Sequence, residues 1–220
     1  MIFQDRTEAG KKLAVSLEGY RDTDAVVYAL PRGGVAVGIE VAKHLNVPLD
    51  LIIARKIGHP LSPEYAIGAV TETGEPIWNE AELSSTTKQW RESQIQQARG
   101  EAKRRRLSYL GSQPNIPAKD KTAIVVDDGI ATGLTMIAAI ADLRKRRPKE
   151  VVVAVPVAPK DTVEKLKNLT ERTVVLHIPD GTFWAIGNYY LNFGQVEDEE
   201  VKGLTERFTG LANKNGELEK

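Results

Sequence analysis

Hydrophobic and polar positions along the chain alternate between strand patterns and helix patterns. Five short apolar runs, with few polar interruptions, occupy residues 25–30, 49–54, 123–126, 151–155 and 173–178. Such runs are typical of strands that are buried on both faces of a parallel sheet. Helically spaced apolar residues separate most of them. We therefore predict a three-layer α/β/α fold with a mainly parallel sheet of five strands between helix layers.

The run at residues 123–126 ends in two carboxylates, Asp127 and Asp128, and continues into a loop with glycines at 129 and 133. A strand, a glycine-rich turn and a helix N-terminus together form a layout that binds phosphate, because unpaired helical N–H groups and the positive end of the helix dipole converge there. The loop lacks the lysine of a P-loop and the glycine spacing of a dinucleotide-binding turn. Its amides and the hydroxyl groups of Thr132 and Thr135 suit one terminal phosphate.

The two aspartates would repel a bound phosphate, so they need another partner. Carboxylates accept hydrogen bonds from sugar hydroxyl groups and can lie near a metal ion. A phosphate site beside a polyol site describes a ribose 5-phosphate. A turn that merely ends a strand is the alternative interpretation of the same residues.

The string V-V-D-D-G-I-A-T-G-x-T, at residues 125–135, closely resembles the phosphoribosyl-pyrophosphate (PRPP) motif of the type I phosphoribosyltransferases. The resemblance implies that Asp127 and Asp128 are the catalytic pair, which holds the ribose 2′- and 3′-hydroxyl groups and lies near Mg²⁺. It also implies a 5-phosphate loop made of Gly129, Ile130, Ala131, Thr132, Gly133 and Thr135. In the 6-oxopurine enzymes an aspartate stands at the position of Ala131, whereas the A-T-G form is like the adenine and orotate enzymes.

A second strand, glycine turn and helix begins at residues 25–30 and passes through Pro31-Arg32-Gly33-Gly34. In the family the matching loop binds the pyrophosphate of PRPP and often contains a non-proline cis peptide, which would here be Pro31–Arg32. The resemblance thus assigns Arg32, Gly33 and Gly34 to pyrophosphate. An ordinary turn with a surface arginine is the alternative.

The run at 49–54 delivers two adjacent cations, Arg55 and Lys56, to the carboxyl end of a predicted strand, where ligands of open α/β sheets collect. Both cations would neutralise pyrophosphate oxygens, and the alternative is that one of them, Lys56, is simply solvated.

Between residues 59 and 119 the regular alternation of strand and helix patterns is interrupted. Residues 66–70 and 76–78 predict a hairpin, and residues 85–110 predict a long polar helix with the basic run 103–106. We favour a solvated helix face for that run over a phosphate or nucleic-acid contact. The family places a mobile loop in this interval and adds an antiparallel edge strand to the main sheet, here residues 66–70.

Aromatic residues are concentrated at 179–196 in a chain that is only 6% aromatic. The segment resembles the I-P-D…F-V-V-G stretch of hypoxanthine-guanine phosphoribosyltransferases, where an aromatic ring stacks on the purine. Trp184 is the nearest match and Phe183 the alternative, and packing in a core or a dimer interface is equally compatible. Residues 197–220 form a C-terminal tail, in which the acidic stretch 197–200 and the final residues 213–220 look solvated and frayed.

Composition narrows the possible binding partners, the possible cysteine chemistry and the expected location of the protein. The chain has 220 residues, 30 Lys and Arg, 30 Asp and Glu, and no cysteine. The balance of charge argues against nucleic acid as a partner, and the lack of cysteine excludes disulfides and a thiol nucleophile. The first residues lack an apolar leader pattern and no run reaches membrane-spanning length. We therefore expect a single domain, residues 1–220, in the cytoplasm.

The sequence most closely resembles a bacterial branch of predicted phosphoribosyltransferases, through A-V-P-V-A-P at 154–159 and F-x-A-[IV]-G-x-x-Y at 183–190. The resemblance implies transfer of the 5-phosphoribosyl group from PRPP to a nitrogenous base with release of pyrophosphate, with Mg²⁺ as cofactor. Because family members are often dimers, it also implies a homodimer. A PRPP- or nucleotide-sensing regulator and a hydrolase of phosphorylated ribosides are the alternatives.

Overall fold

The computed structural model describes residues 1–218 as six helices and eight strands arranged in two sheets. The helices are α1 (Arg6–Val15), α2 (Gly34–Leu45), α3 (Lys88–Leu110), α4 (Leu134–Lys145), α5 (Lys160–Lys167) and α6 (Asp198–Leu218). The strands are β1 (Val26–Ala29), β2 (Leu49–Leu51), β3 (Ala54–His59), β4 (Ser62–Thr71), β5 (Ile77–Trp78), β6 (Thr122–Val126), β7 (Glu150–Val157) and β8 (Arg172–His177). Three short 3-10 turns join some of them.

The main sheet has the strand order β2-β1-β6-β7-β8 and is parallel throughout. Alternate residues of its strands face two separate cores. Tyr28, Val125 and Val153 pack with α4 and α5 on one face, whereas Val27 and Ile124 pack with α1 and α2 on the other. Burial on both faces explains the continuous apolar runs, and the predicted three-layer fold with five parallel strands is confirmed.

The antiparallel strand lies in a second sheet and not at the edge of the main one. Strand β4 pairs with β3 and β5 in a separate three-stranded antiparallel sheet, order β3-β4-β5. The expected hairpin between residues 66–70 and 76–78 is present as β4 and β5. The apolar run at 49–54 divides, because β2 ends at Leu51 and the chain starts the new strand β3 at Ala54.

The C-terminal part corrects the prediction of a frayed tail. Residues 198–218 form helix α6, and Val201 is fully buried against α3 and α2 in a cluster with Ile39 and Tyr109. The partly buried Leu204 and Phe208 pack on that cluster. Residues 219–220 of the predicted tail lie outside the described residues. The spacing 201, 204 and 208 is that of one buried helix face, and three carboxylates in the first turn favour the helix dipole.

Among residues 1–218 no helix combines the length and the apolar character that crossing a membrane requires.

Candidate active site

The register of the main sheet brings two predicted loops together. Ala29, the last residue of β1, is paired with Val126, the last residue of β6. The segments that follow these two residues, 30–33 and 127–133, therefore meet at the carboxyl edge of the sheet. With the start of β3 they enclose a cavity of about 510 Å³. Its lining includes most of the predicted site residues: Arg32, Gly33, Lys56, Asp127, Asp128, Gly129, Ile130, Ala131, Thr132, Gly133 and Thr135.

The predicted phosphate loop is held near its start by two hydrogen bonds. The Ile130 N–H donates to the Val157 carbonyl at 2.9 Å, and the Thr162 hydroxyl donates to the Ala131 carbonyl at 2.8 Å. Gly133 then has φ +81°, a backbone conformation that favours glycine, and helix α4 begins at the next residue. Because the first N–H groups of a helix lack intrahelical partners, this loop directs donors toward the cavity.

The two aspartates of the cavity have different environments. The Asp127 carboxylate accepts a hydrogen bond from the Asp128 N–H at 2.8 Å, and burial together with the nearby charge of Asp128 raises the pKa of Asp127 well above its ordinary value. The Asp128 carboxylate accepts a hydrogen bond from Nε of Arg6 at 2.7 Å. Arg6 is the first residue of α1, and nothing in the sequence pattern indicated that it would reach this site.

Four cations line the same cavity. Arg32, Arg55 and Lys56 were predicted to lie here, and Arg105 comes from α3. Burial and the positive charge of Arg105 lower the pKa of the Arg55 guanidinium. Such a concentration of positive charge in a cavity suits a polyanion.

The expectation that residues 103–106 form a solvated helix face is wrong for half of the run. Lys103 and Arg104 are exposed, but Arg105 reaches the cavity and Arg106 is largely buried. The Arg106 guanidinium donates to the Asp50 carboxylate at 3.0 Å. Four consecutive residues of an α-helix such as α3 are spread around more than half of its circumference. The same basic run therefore has residues that face solvent and residues that contact the protein interior.

The pyrophosphate-type loop contains the expected cis peptide bond, Pro31–Arg32. The Arg32 guanidinium forms ion pairs with two carboxylates at the start of α6, 3.1 Å to Glu197 and 3.6 Å to Asp198. Gly34, also predicted for this loop, begins α2 and lies against the backbone of Asp127. Gly34 thus sets how closely α2 approaches the site.

Trp184 lies in a neighbouring, larger cavity of about 1040 Å³ and is 80% exposed. That cavity shares Ala66, Ala131 and Thr132 with the first, so the two are adjacent. Phe183, the alternative to Trp184, also lines this cavity and stacks on Tyr189 at 5.4 Å, whereas Tyr190 is buried. Two aromatic rings of the segment thus line a cavity, and Tyr190 packs in the interior.

The site's donor set suits a metal ion that is shared with a ligand. Among the residues that the structure describes, no three His, Cys, Asp or Glu side chains are grouped as metal ligands. The cavity nevertheless has two adjacent carboxylates, Asp127 and Asp128. Mg²⁺ is commonly bound by one or two carboxylates together with substrate phosphates and water, which such a pair permits.

The comparison with known families agrees with this geometry. The family model described as phosphoribosyl transferase domain matches residues 4–192. The chain belongs to the phosphoribosyl transferase family. The match includes both loops of the 510 Å³ cavity, the second sheet and the aromatic segment as far as residue 192.

Relatives of this chain are found among curated proteins and solved structures. Proteins from two strains of Mycobacterium tuberculosis, provisionally named phosphoribosyl transferases, are each 38% identical over 208 residues, which is 94% of this chain and 47% of the relative. The chain thus spans about half the length of these relatives. The crystal structure of TT1426 from Thermus thermophilus is 39% identical with a TM-score of 0.80, and the match covers 94% of this chain and 99% of that one.

Proposed function

We propose that this protein transfers the 5-phosphoribosyl group from PRPP to a nitrogenous base and releases pyrophosphate. The observation that carries the proposal is the joining of three kinds of group in one cavity. These are the phosphate loop at residues 129–135, the carboxylate pair Asp127 and Asp128, and the cationic cluster of Arg32, Arg55, Lys56 and Arg105.

Each group has the chemistry that one part of PRPP requires. The hydroxyl groups of Thr132 and Thr135, with the loop amides, bind the 5-phosphate. The carboxylates of Asp127 and Asp128 accept hydrogen bonds from the ribose hydroxyl groups. The cations offset the charge of the pyrophosphate as it leaves, when positive character develops on the ribose ring.

Asp127 and Asp128 are also the residues that would hold Mg²⁺. When bound, the ion neutralises part of the pyrophosphate charge. The chain itself orients the ribose between the carboxylate pair and the phosphate loop, and it presents the leaving group to fixed cations. Both effects reduce the reorganisation that the reaction requires.

The accepting base belongs in the 1040 Å³ cavity, where Trp184 offers an exposed ring. Aromatic rings bind bases by stacking, and this cavity adjoins the PRPP cavity through Ala131 and Thr132. An acceptor held there lies beside the ribose.

The first experiment is a calorimetric titration with PRPP, with and without Mg²⁺, using ribose 5-phosphate for comparison. Saturable binding that Mg²⁺ strengthens supports the proposal, and a screen of purine and pyrimidine bases for pyrophosphate release then identifies the acceptor. Absence of binding to both ligands contradicts it. Tight PRPP binding without pyrophosphate release for any base would favour the regulator instead.

A further inference from the structure

Arg6 makes three contacts that fix its guanidinium group. Its Nε donates to Oδ2 of Asp128 at 2.7 Å, and its Nη1 donates to the Gly194 carbonyl at 2.9 Å. The central carbon of the group lies 3.9 Å from the centre of the Phe193 ring. The Arg6 and Asp128 side chains are only 13% and 11% exposed, so this ion pair is shielded from solvent, and water weakens it less than a surface pair.

Asp128 is thus held by residues from both ends of the chain. Arg6 binds its carboxylate from α1, and the Tyr190 hydroxyl donates to its backbone carbonyl at 2.6 Å. Tyr190 in turn stacks with Phe193 at 4.9 Å, which brings the contact back to Arg6. These contacts restrict both the backbone and the side chain of Asp128.

Arg6 contacts the site without lining it. The 510 Å³ cavity is bounded by Asp128, whereas Arg6 reaches that carboxylate from α1. Arg6 already binds Oδ2, so Oδ1 is the oxygen of Asp128 that this ion pair leaves free to accept from a ligand. Arg6 also places a positive charge next to Asp128, whose own negative charge lies beside the carboxylate of Asp127.

We infer that Arg6 is a positioning residue for PRPP binding, which acts by orienting the Asp128 carboxylate toward the ribose. This inference rests on the proposed function, since it assumes that Asp128 contacts the ribose. It makes the docking of α1 a requirement for a complete site. The competing explanation is a structural role, in which Arg6 only fastens α1 to the segment around Gly194.

The test measures PRPP affinity in the presence of Mg²⁺, by calorimetry on the full chain. We expect Arg6→Met to weaken PRPP binding about 10- to 100-fold, the range typical of residues that orient a ligand-binding group. Arg6→Lys retains the charge but not the planar fork of donors, so it should recover part of that loss. Arg172→Met is the matched control. Arg172 also holds the region of α1, because it donates to the Ser16 carbonyl and lies over the Tyr20 ring. None of these three residues lines the 510 Å³ cavity.

A double-mutant cycle with Asp128→Asn distinguishes the orienting of the Asp128 carboxylate from the attachment of α1 to the segment around Gly194. If Arg6 acts through Asp128, Arg6→Met has little further effect on PRPP affinity in the Asp128→Asn background. An equal loss in both backgrounds, or a loss with Arg172→Met as large as with Arg6→Met, overturns the inference. Thermal unfolding of every variant identifies any that fails to fold, and Arg6→Lys then provides the comparison.

The two proposals fail in different ways. A natural protein that binds no PRPP overturns the proposed function and this inference with it. A natural protein that binds PRPP, with Arg6→Met binding equally well, overturns the inference alone.

Discussion

Gly33 lies directly against the carboxylate of Asp128. A β-carbon at position 33 would overlap Oδ2 of Asp128 and lie 2.5 Å from its Cγ and 2.9 Å from Nε of Arg6. The loop after β1 and the loop after β6 are therefore in close contact where the Asp128 carboxylate pairs with the Arg6 guanidinium.

Gly33→Ala should displace the Asp128 side chain and weaken PRPP binding at least tenfold. The expected change in unfolding free energy is a loss of about 1–3 kcal/mol, the range for an added methyl group in a packed site. Calorimetry and thermal unfolding measure the two effects. Gly100→Ala is the control, since position 100 is within α3 and has open space around it; we expect a gain of about 0.5–1 kcal/mol there. Normal PRPP affinity in Gly33→Ala would contradict the role given to Asp128.

Asp127→Asn should make the protein more stable at neutral and alkaline pH, although it removes a proposed ligand contact. Burial and the charge of Asp128 raise the pKa of Asp127, so the folded state binds this proton more tightly than the unfolded state does. The contribution of Asp127 to the free energy of unfolding therefore falls as the pH rises from the pKa of an unfolded aspartate, about 3.9, through the raised pKa of the folded state. The substituted amide keeps an oxygen for the Asp128 N–H but carries no charge.

The measurement is the Tm of both proteins in a pH series that starts near the ordinary aspartate pKa, about 3.9, and extends into the alkaline range, because the pKa of Asp127 is raised above that starting point. We expect a higher Tm for Asp127→Asn at the upper end and a smaller difference at the lower end. Asp24→Asn, at an exposed position, serves as control and should show no such trend. A lower Tm for Asp127→Asn throughout the range would contradict this prediction.

Arg105→Met should weaken the binding of PRPP and of free pyrophosphate about tenfold or more. The reason is the loss of a charge-assisted hydrogen bond, about 1.5–3 kcal/mol. Arg104→Met is the matched control: both arginines pair with Glu101 on α3, but Arg104 is exposed and Arg105 lines the cavity. Titration at two salt concentrations checks the electrostatic origin. Equal effects of Arg105→Met and Arg104→Met on affinity would show that Arg105 does not contact the ligand.

Glu197→Gln should strengthen pyrophosphate binding about two- to fivefold. Glu197 pairs with Arg32 at 3.1 Å, and a ligand that uses Arg32 must compete with that carboxylate. The expected gain is small because exposed ion pairs contribute about 0.2–1 kcal/mol. Glu199→Gln, at an exposed position two residues further on in the first turn of α6, should leave the affinity unchanged. Weaker binding in Glu197→Gln would show that Glu197 holds Arg32 in place for the ligand.

Trp184→Ala should raise the KM for the accepting base while leaving PRPP affinity and Tm unchanged. Stacking of a base on an aromatic ring is worth about 1–3 kcal/mol, so the KM should rise about tenfold. The ring is 80% exposed, hence its removal leaves the core intact. Leu191→Ala, another exposed apolar side chain, is the control. Steady-state kinetics with the base found by the pyrophosphate-release screen provides the measurement, and an unchanged KM would place the acceptor elsewhere.

Local pattern was sufficient for the parallel sheet and for much of the site. Strands buried on both faces have a continuous apolar pattern, as at Val125 and Val126, and glycine favours the positive φ that Gly133 adopts. Loops that follow parallel strands collect at one sheet edge, so Arg32 and Asp128 were expected at the same edge, and the family resemblance supplied the ligand proposed for them.

Tertiary structure alone decided which side chains complete the site. Arg6 and Asp128 are 122 positions apart, and no local spacing relates them. The division of the basic run, with Arg105 toward the cavity and Arg106 toward Asp50, depends on how α3 packs beside β3. Helix α6 had a buried-face pattern in the sequence, but its carboxylates meet Arg32 only because the helix docks on α2 and α3. Sequence determines what each segment can bury and donate; long-range packing determines which charges meet, because the energies that pair them depend on distance and burial in the folded chain.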